Sequence, residues 1–382
     1  MIFRAIIILA LGLWPRLANA QTWVDSLEVY AREKYLPASG YTWTWQHAAF
    51  LNAMIKRHGQ VDTARGQVYL DYVTKAMHRT MAGANGNSPN AVASGLGLAF
   101  LLEKTNEERY REKCAKIFSE YLRIRRTSEG AVSHLAWSTE LWDDTVFMVG
   151  QFLIAMYRAT GDEKYLNELA LQMRLHREKL RDEKTGLWYH GWDANDKDGL
   201  PYFCGQMGWP NDSTRRSEEI WGRGNGWIFV TLSDALEVIP KENPLWTEFA
   251  VYLKEMVQHL PELQDKSTGH WFQLPVRNND PENWIESSST AMFSYGILMA
   301  LKLGIVSGSE YKECTDRAYL GLRKHSIEAV GNGYLTATNV CTGTCIGDRR
   351  YYLKRGVQNG RSFGLGMFIQ FGARYEIENG IR

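Results

Sequence analysis

The feature that most constrains this chain is an alternation of two kinds of helical segment along almost its whole length. Six segments are poor in charge, rich in Ala, Gly, Ser and aromatic residues, and periodic in apolar positions. They are Trp43 to His58, Asn90 to Lys104, Trp142 to Ala159, Gly222 to Val238, Ser287 to Leu303 and Ser362 to Tyr375. A helix apolar on nearly all sides has to be covered on nearly all sides. Charged amphipathic stretches lie between them: Asp62 to Met81, Glu107 to Arg125, Glu163 to Arg181, Trp246 to Leu260 and Glu310 to Ile327, with Val24 to Tyr35 as the sixth. Six inner and six outer helices at roughly 60 residues a pair predict an all-α (α/α)6 barrel. An open solenoid would need polar capping faces on its terminal repeats, and Ser362 to Phe371 is as apolar as the central segments, so closure is favoured.

Two short motifs punctuate the units. Lys104 to Tyr110 and Ala159 to Tyr165 place a turn before a new helix, with a looser version at Gly304 to Tyr311. A glycine followed by an aromatic or apolar pair recurs as Gly130-Ala131-Val132, Gly186-Leu187-Trp188, Gly269-His270-Trp271 and Gly333-Tyr334-Leu335. One unit therefore reads as helix, turn, helix and a loop carrying a short extended piece.

The first residues have the pattern of an export signal: Arg4, an apolar stretch from Ala5 to Trp14, and Ala18-Asn19-Ala20 as a small-residue cleavage site. That stretch is about ten residues, short of the roughly 20 that span a bilayer. We expect residues 1–20 to be removed, residues 21–382 to form a single barrel domain, and the product to be secreted or periplasmic, with no membrane span. Asn211-Asp212-Ser213 has the form of a glycosylation acceptor, meaningful only in a eukaryotic secretory route.

Net charge is +1 with both signs interspersed, which excludes a phosphate-backbone footprint, so nucleic acid is not an expected partner. Among the five cysteines, Cys341 and Cys345 are close enough for a local bridge, which geometry must decide. The cysteines show no zinc-type pairing, and we expect no metal and no cofactor. The 14 Trp, 19 Tyr and 14 Phe serve either a large core or stacking on sugar rings.

In a barrel of this kind the loops entering the inner helices meet at one mouth. The positions there are Trp43, Trp45, Asn90, His134, Trp142, Asp143, Asp144, His190, Trp192, Trp221, Arg223, Asn225, Trp227, Glu286, Ser288 and Asp348. Asp143 and Asp144 are placed in the first turn of an inner helix, where a carboxylate can simply cap. Neighbouring helical residues point about 100° apart, so the two cannot face the cavity equally. An aspartate enclosed by aromatics would hold its proton and act as a general acid, against the pull of the helix dipole. His134 and His190 are either hydrogen-bonded structural histidines or working loop residues. Trp221-Gly222-Arg223-Gly224-Asn225-Gly226-Trp227 is the most distinctive string: its glycines imply a close approach, either of helix to helix or of backbone to ligand. Arg223 between two indoles offers a planar fork for a carboxylate.

The chain resembles glycoside hydrolase family 105, the unsaturated rhamnogalacturonyl hydrolases, and more distantly the unsaturated glucuronyl hydrolases of family 88. The resemblance rests on Leu141 to Met148, His190 to Asp193, Trp221 to Trp227, Glu286 to Phe293, Gly347-Asp348 and Tyr351-Tyr352-Leu353, and it covers essentially the whole mature chain. It implies the same barrel, and an activity that releases a terminal 4,5-unsaturated uronic acid from lyase-generated acidic oligosaccharides. In that chemistry one Asp protonates C4 of the double bond, water adds at C5, and the hemiketal opens with loss of the aglycone. This is unlike the two-carboxylate scheme of ordinary glycosidases. The Trp-any-Asp pattern of the family implies Asp144 as the catalytic acid, with Asp143 turned elsewhere. It implies Asn90, His134, Trp142, His190, Trp221, Arg223 and Trp227 as substrate-binding residues. Asn90 stands where the family commonly has a second Asp; an amide can hydrogen-bond but cannot accept a proton. An ordinary glycosidase, a sugar epimerase and a non-catalytic sugar-binding protein are the alternatives.

Overall fold

The computed structural model describes residues 22–35, 40–194, 213–331 and 333–382. The expected export signal, and Asn211 and Asp212 of the glycosylation acceptor, lie outside them. Among the described residues, twelve helices build the barrel. The outer ones are α1 (Trp23–Tyr35), α3 (Thr63–Thr80), α5 (Glu108–Tyr121), α7 (Glu163–Leu180), α9 (Pro244–Val257) and α11 (Ser309–His325). The inner ones are α2 (Trp45–His58), α4 (Gly95–Thr105), α6 (Thr145–Thr160), α8 (Gly222–Val238), α10 (Ser287–Lys302) and α12 (Ser362–Glu378).

The inner helices pack in the circular order α2, α4, α6, α8, α10, α12, and α12 returns to α2, so the ring closes. The expected (α/α)6 barrel is the fold. Every residue of α8 from Gly222 to Leu236 and every residue of α10 from Ser287 to Ala300 is buried, whereas α5 buries only Tyr110, Cys114, Ile117 and Tyr121 along one stripe. The driving term is removal of these apolar faces from water, at about 25 cal/mol per Å². Because outer and inner helices alternate in direction, the N-termini of all six inner helices gather at one end.

The recurring motifs now have a local cause. Asn106 (φ 52°) and Gly161 (φ 67°) close α4 and α6 in the left-handed conformation, and each is followed immediately by the N-cap of the next outer helix. A threonine stitches both turns: Thr105 and Thr160 donate to the carbonyls of Leu101 and Met156 and accept from the amides of Glu107 and Asp162. Gly130, Gly186, Gly269 and Gly333 all have positive φ, which a glycine adopts without strain.

Two expected boundaries shift, and both shifts bear on the site. The stretch from Asn90 to Lys104 is not one helix: Pro89–Val92 makes a single turn, capped by Ser88, and α4 starts afresh at Gly95. Trp142 is not helical. It ends strand β1 (Glu140–Trp142), which pairs antiparallel with β2 (Gly191–Asp193), and Trp142 lies opposite Gly191. A second ribbon, β3 (Trp271–Phe272) with β4 (Ile285–Glu286), delivers the start of α10 in the same way. Among the described residues no helix is long and apolar enough to cross a membrane.

Candidate active site

Strand β1 ends at Trp142 and α6 begins at Thr145, so Asp143 and Asp144 occupy the turn between them rather than a helical first turn. Asp144 stands immediately before α6 with helical φ and ψ and makes no side-chain cap. The capping role open to it in sequence is therefore not the one it plays. The 100° separation expected for helical neighbours does not apply either. Carboxyl oxygens of Asp143 and Asp144 and a ring nitrogen of His190 all lie within 4.8 Å of one another. Asp143 is thus not turned elsewhere: its carboxyl group reaches the same side as that of Asp144.

A cage surrounds Asp144. His134 approaches its Oδ1 to 3.8 Å through Nδ1, which also lies 2.9 Å from the Thr145 hydroxyl. The His134 ring is stacked flat on Trp142, with centroids 4.4 Å apart and planes 4° from parallel. Trp142 donates its indole N–H to Glu140 at 2.8 Å and meets His190 edge-on at 5.4 Å. Glu140 was missed in sequence, although it lies two residues before Trp142 in a strand and so points to the same face. Reading Glu140–Trp142 as extended would have found it.

Burial holds Asp144 above the usual carboxylate range, and the partial offset by His134 and Arg223 does not reverse it. Burial also pushes His134 below the ordinary imidazole value. Both shifts act in the direction of the uncharged forms, and the two groups stand 3.8 Å apart, beyond hydrogen-bond distance. Between desolvation and the helix dipole, which sequence leaves undecided, desolvation prevails.

His190 is fully buried between Trp142 and Trp221, whose ring centroid lies 4.5 Å from its own. Its Nδ1 sits 2.7 Å from the Tyr352 hydroxyl, and burial depresses its basicity strongly. Tyr352, one of the residues on which the resemblance rests but without a role in the sequence reading, is delivered by a one-turn helix at Arg349–Leu353 that Asp348 caps.

Arg223 differs from expectation in detail. Its guanidinium is fully buried, with the indole of Trp221 4.7 Å and the ring of Phe363 5.0 Å from its centre. The fork is already engaged: one NH2 group donates to the Cys341 carbonyl at 2.6 Å and the other to the Thr342 carbonyl at 2.7 Å, while Nε has no partner among the described residues. The segment carrying those carbonyls is held in turn by Glu286, which accepts from the amides of Ser288, Ser289 and Cys341 at the start of α10. Cys341 is a buried free thiol, whereas Cys345 is disulfide-bonded, so the local Cys341–Cys345 bridge does not form.

Trp227 lies one turn deeper in α8, buried, edge-on to Trp45 at 6.1 Å and tilted on Phe147 at 4.4 Å. Asn225 is structural: its carboxamide brackets the backbone of Trp188 at 2.7 and 2.8 Å. Asn90 is half-buried on its own single turn, which packs against α6. The glycines of α8 serve close approach: a Cβ on Gly224 would fall 2.1 Å from Asp143 Oδ2, and one on Gly226 would fall 2.3 Å from the Met292 sulfur. Asp143 and His190 offer donors 3.9 Å apart. That separation is longer than a hydrogen bond, and neither group has a hydrogen-bond partner at these atoms among the described residues.

The family model described as Glycosyl Hydrolase Family 88 matches residues 19–378. The unsaturated rhamnogalacturonyl hydrolase YesR of Bacillus subtilis is 29% identical over 224 residues, 56% of this chain and 59% of that protein. An unsaturated 3S-rhamnoglycuronyl hydrolase of Alteromonas sp. is 25% identical over 199 residues, 50% of this chain and 43% of that protein. The chain therefore spans about half the length of these curated relatives. Among solved structures, a family 105 glycoside hydrolase of C. acetobutylicum superposes with a TM-score of 0.82 at 24% identity, covering 94% of this chain and all of that one. A possible family 105 member from Klebsiella pneumoniae gives 0.77 at 23% identity, covering 98% of this chain and all of that one. At these identities the likeness speaks for the fold.

Proposed function

We propose, for a chain that belongs to glycosyl hydrolase family 88, that it releases a terminal 4,5-unsaturated uronic acid from lyase-generated acidic oligosaccharides of the rhamnogalacturonan type. The observation that carries the reading is a carboxyl group, Asp144, whose hold on its proton burial strengthens, beside His134, Trp142 and His190 at the mouth of the barrel. Curated relatives that are themselves named as unsaturated-uronyl hydrolases support the reaction class.

The chemistry follows from the substrate. A 4,5-unsaturated uronide is an enol ether, and protonation at C4 leaves an oxocarbenium-like centre at C5 that water captures. Asp144 gives its proton to C4, and its carboxylate takes the proton shed by the adding water. The hemiketal at C5 then opens and the aglycone departs. Protonation by a positioned acid contributes typically 10²–10⁴-fold. Trp142 and Trp221 offer faces for the sugar ring, and His190 and Asn90 offer hydrogen bonds. Trp227 supports Trp45 from beneath. Arg223, whose fork rests on two carbonyls, acts on the uronate by its field rather than by a bidentate clasp.

Export is part of the proposal. Its support is the Arg4-led apolar stretch that ends at Ala18-Asn19-Ala20.

The test is incubation with rhamnogalacturonan or ulvan oligosaccharides made by a lyase, followed by ultraviolet absorbance of the conjugated double bond. Absorbance should disappear with wild type and persist with Asp144→Asn. No loss on any such substrate, or full turnover by the Asn variant, refutes the reading.

A further inference from the structure

The proposed reaction leaves one buried acid unexplained. Asp143 is completely buried, neither of its carboxyl oxygens has a hydrogen-bond partner among the described residues, and the carboxyl group is pressed onto the backbone of Gly224. An ionised carboxylate in that setting would have only the approach of the Asp143 and Asp144 backbone amides to offset the cost of burying charge. The groups facing it give little: His190 Nε2 at 3.9 Å, itself unpartnered; the Tyr352 hydroxyl, engaged by His190; and Asp144. From α8 it meets the glycine, while the field of Arg223 is felt at Asp144. His134 lies on the Asp144 side.

We propose that Asp143 and Asp144 form a proton-sharing pair, in which Asp143 is a positioning residue that retains one proton within the pair and so extends to neutral pH the range over which Asp144 can act as the acid. The proposal rests on Asp144 being that acid. The carboxyl groups are within 4.8 Å, a span that one hydrogen-bonded water bridges, and two acids so close cannot both ionise in a buried site. Burial and the neighbouring Asp144 both push Asp143 far above the carboxylate range, whereas Asp144 is raised less because His134 and Arg223 oppose it. The first proton lost from the pair therefore leaves Asp144, and the second is held at Asp143. Transfer of that proton from the Asp143 O–H to the Asp144 carboxylate regenerates the protonated acid and leaves the negative charge on Asp143. Turnover consumes none of it, because the adding water returns a proton to Asp144. Asp143 thus supplies a second carboxyl group beside Asp144.

Asp143→Asn keeps the size of the side chain and removes its proton store. The pair titrates as a unit in wild type, so the basic limb of kcat should move down by about one pH unit or more in the variant. At neutral pH kcat should drop by about tenfold or more with KM little changed, and it should recover toward wild type as the pH is lowered into the carboxylate range. An equal loss at every pH, or an unshifted profile, overturns the proposal. If Asp144→Asn is inactive while Asp143→Asn keeps the wild-type profile, the pair is refuted and the assignment of Asp144 stands. If Asp144→Asn stays active, it is the assignment of Asp144 that fails. Should Asp143→Asn not fold, infrared titration of the wild-type protein decides: a buried carboxylic acid C=O band persisting at neutral pH supports the pair, and its absence refutes it.

Discussion

Gly224→Ala tests whether the packing of Asp143 on α8 is what the glycine provides. The added Cβ would lie 2.1 and 2.3 Å from the two Asp143 carboxyl oxygens and 2.5 Å from the carbon between them, where ordinary contact begins near 3.4 Å. The carboxyl group would have to retreat by more than 1 Å, yet it is completely buried. Overpacking of this kind costs about 1 to 3 kcal/mol. With an unfolding entropy near 2.1 cal/mol/K per residue, some 0.75 kcal/mol/K for the folded chain, Tm should fall by about 1 to 4 °C. The decisive measurement is a double-mutant cycle by thermal or urea denaturation. In an Asp143→Ala background the clash has no partner, and the same alanine should be neutral or stabilising by up to about 1 kcal/mol, since glycine is a poor helix former. A coupling energy of at least about 1 kcal/mol is expected. Equal effects of the alanine in both backgrounds would show that the glycine serves something other than Asp143.

Tyr352→Phe leaves the buried Nδ1 of His190 without its 2.7 Å partner and should destabilise by about 1 to 3 kcal/mol with a fall in kcat, read by calorimetry and by the ultraviolet assay. Glu286→Gln weakens the carboxylate that accepts from the first amides of α10 and from Cys341; a loss of about 1 to 2 kcal/mol is expected, and an unchanged Tm would contradict it. His176 and His270 are buried and pushed from 6.5 down to about 4, so the unfolded chain binds their protons more readily below pH 6.5. Their contribution is present above pH 6.5 and is lost as the pH falls to about 4, by up to about 3 kcal/mol each. A His176→Gln variant should accordingly show a shallower acid decline of Tm than wild type.

Hydrophobic periodicity made the barrel legible before any coordinates. The buried and exposed faces of a helix are a property of its own residues, and six wholly apolar helices alternating with six striped ones have few ways to satisfy both. The left-handed turns at Asn106 and Gly161 were legible for the same reason, because a residue type that accommodates positive φ marks itself in the sequence. His134, Trp142, Asp144, His190 and Trp221 were legible as neighbours, because each lies in a segment that leads into an inner helix or pairs with one that does.

What each of those residues does was decided only by tertiary structure. Whether Trp142 belongs to a helix or a strand depends on its pairing with Gly191, nearly fifty positions later. That pairing puts the carboxyl groups of Asp143 and Asp144 side by side. The fork of Arg223 is spent on carbonyls more than a hundred residues away. Protonation of the acids depends on how completely distant aromatic and glycine surfaces remove water. Local sequence sets backbone preference and amphipathicity over a few residues, whereas hydrogen-bond partners and desolvation are set by whichever segments the closed ring brings together.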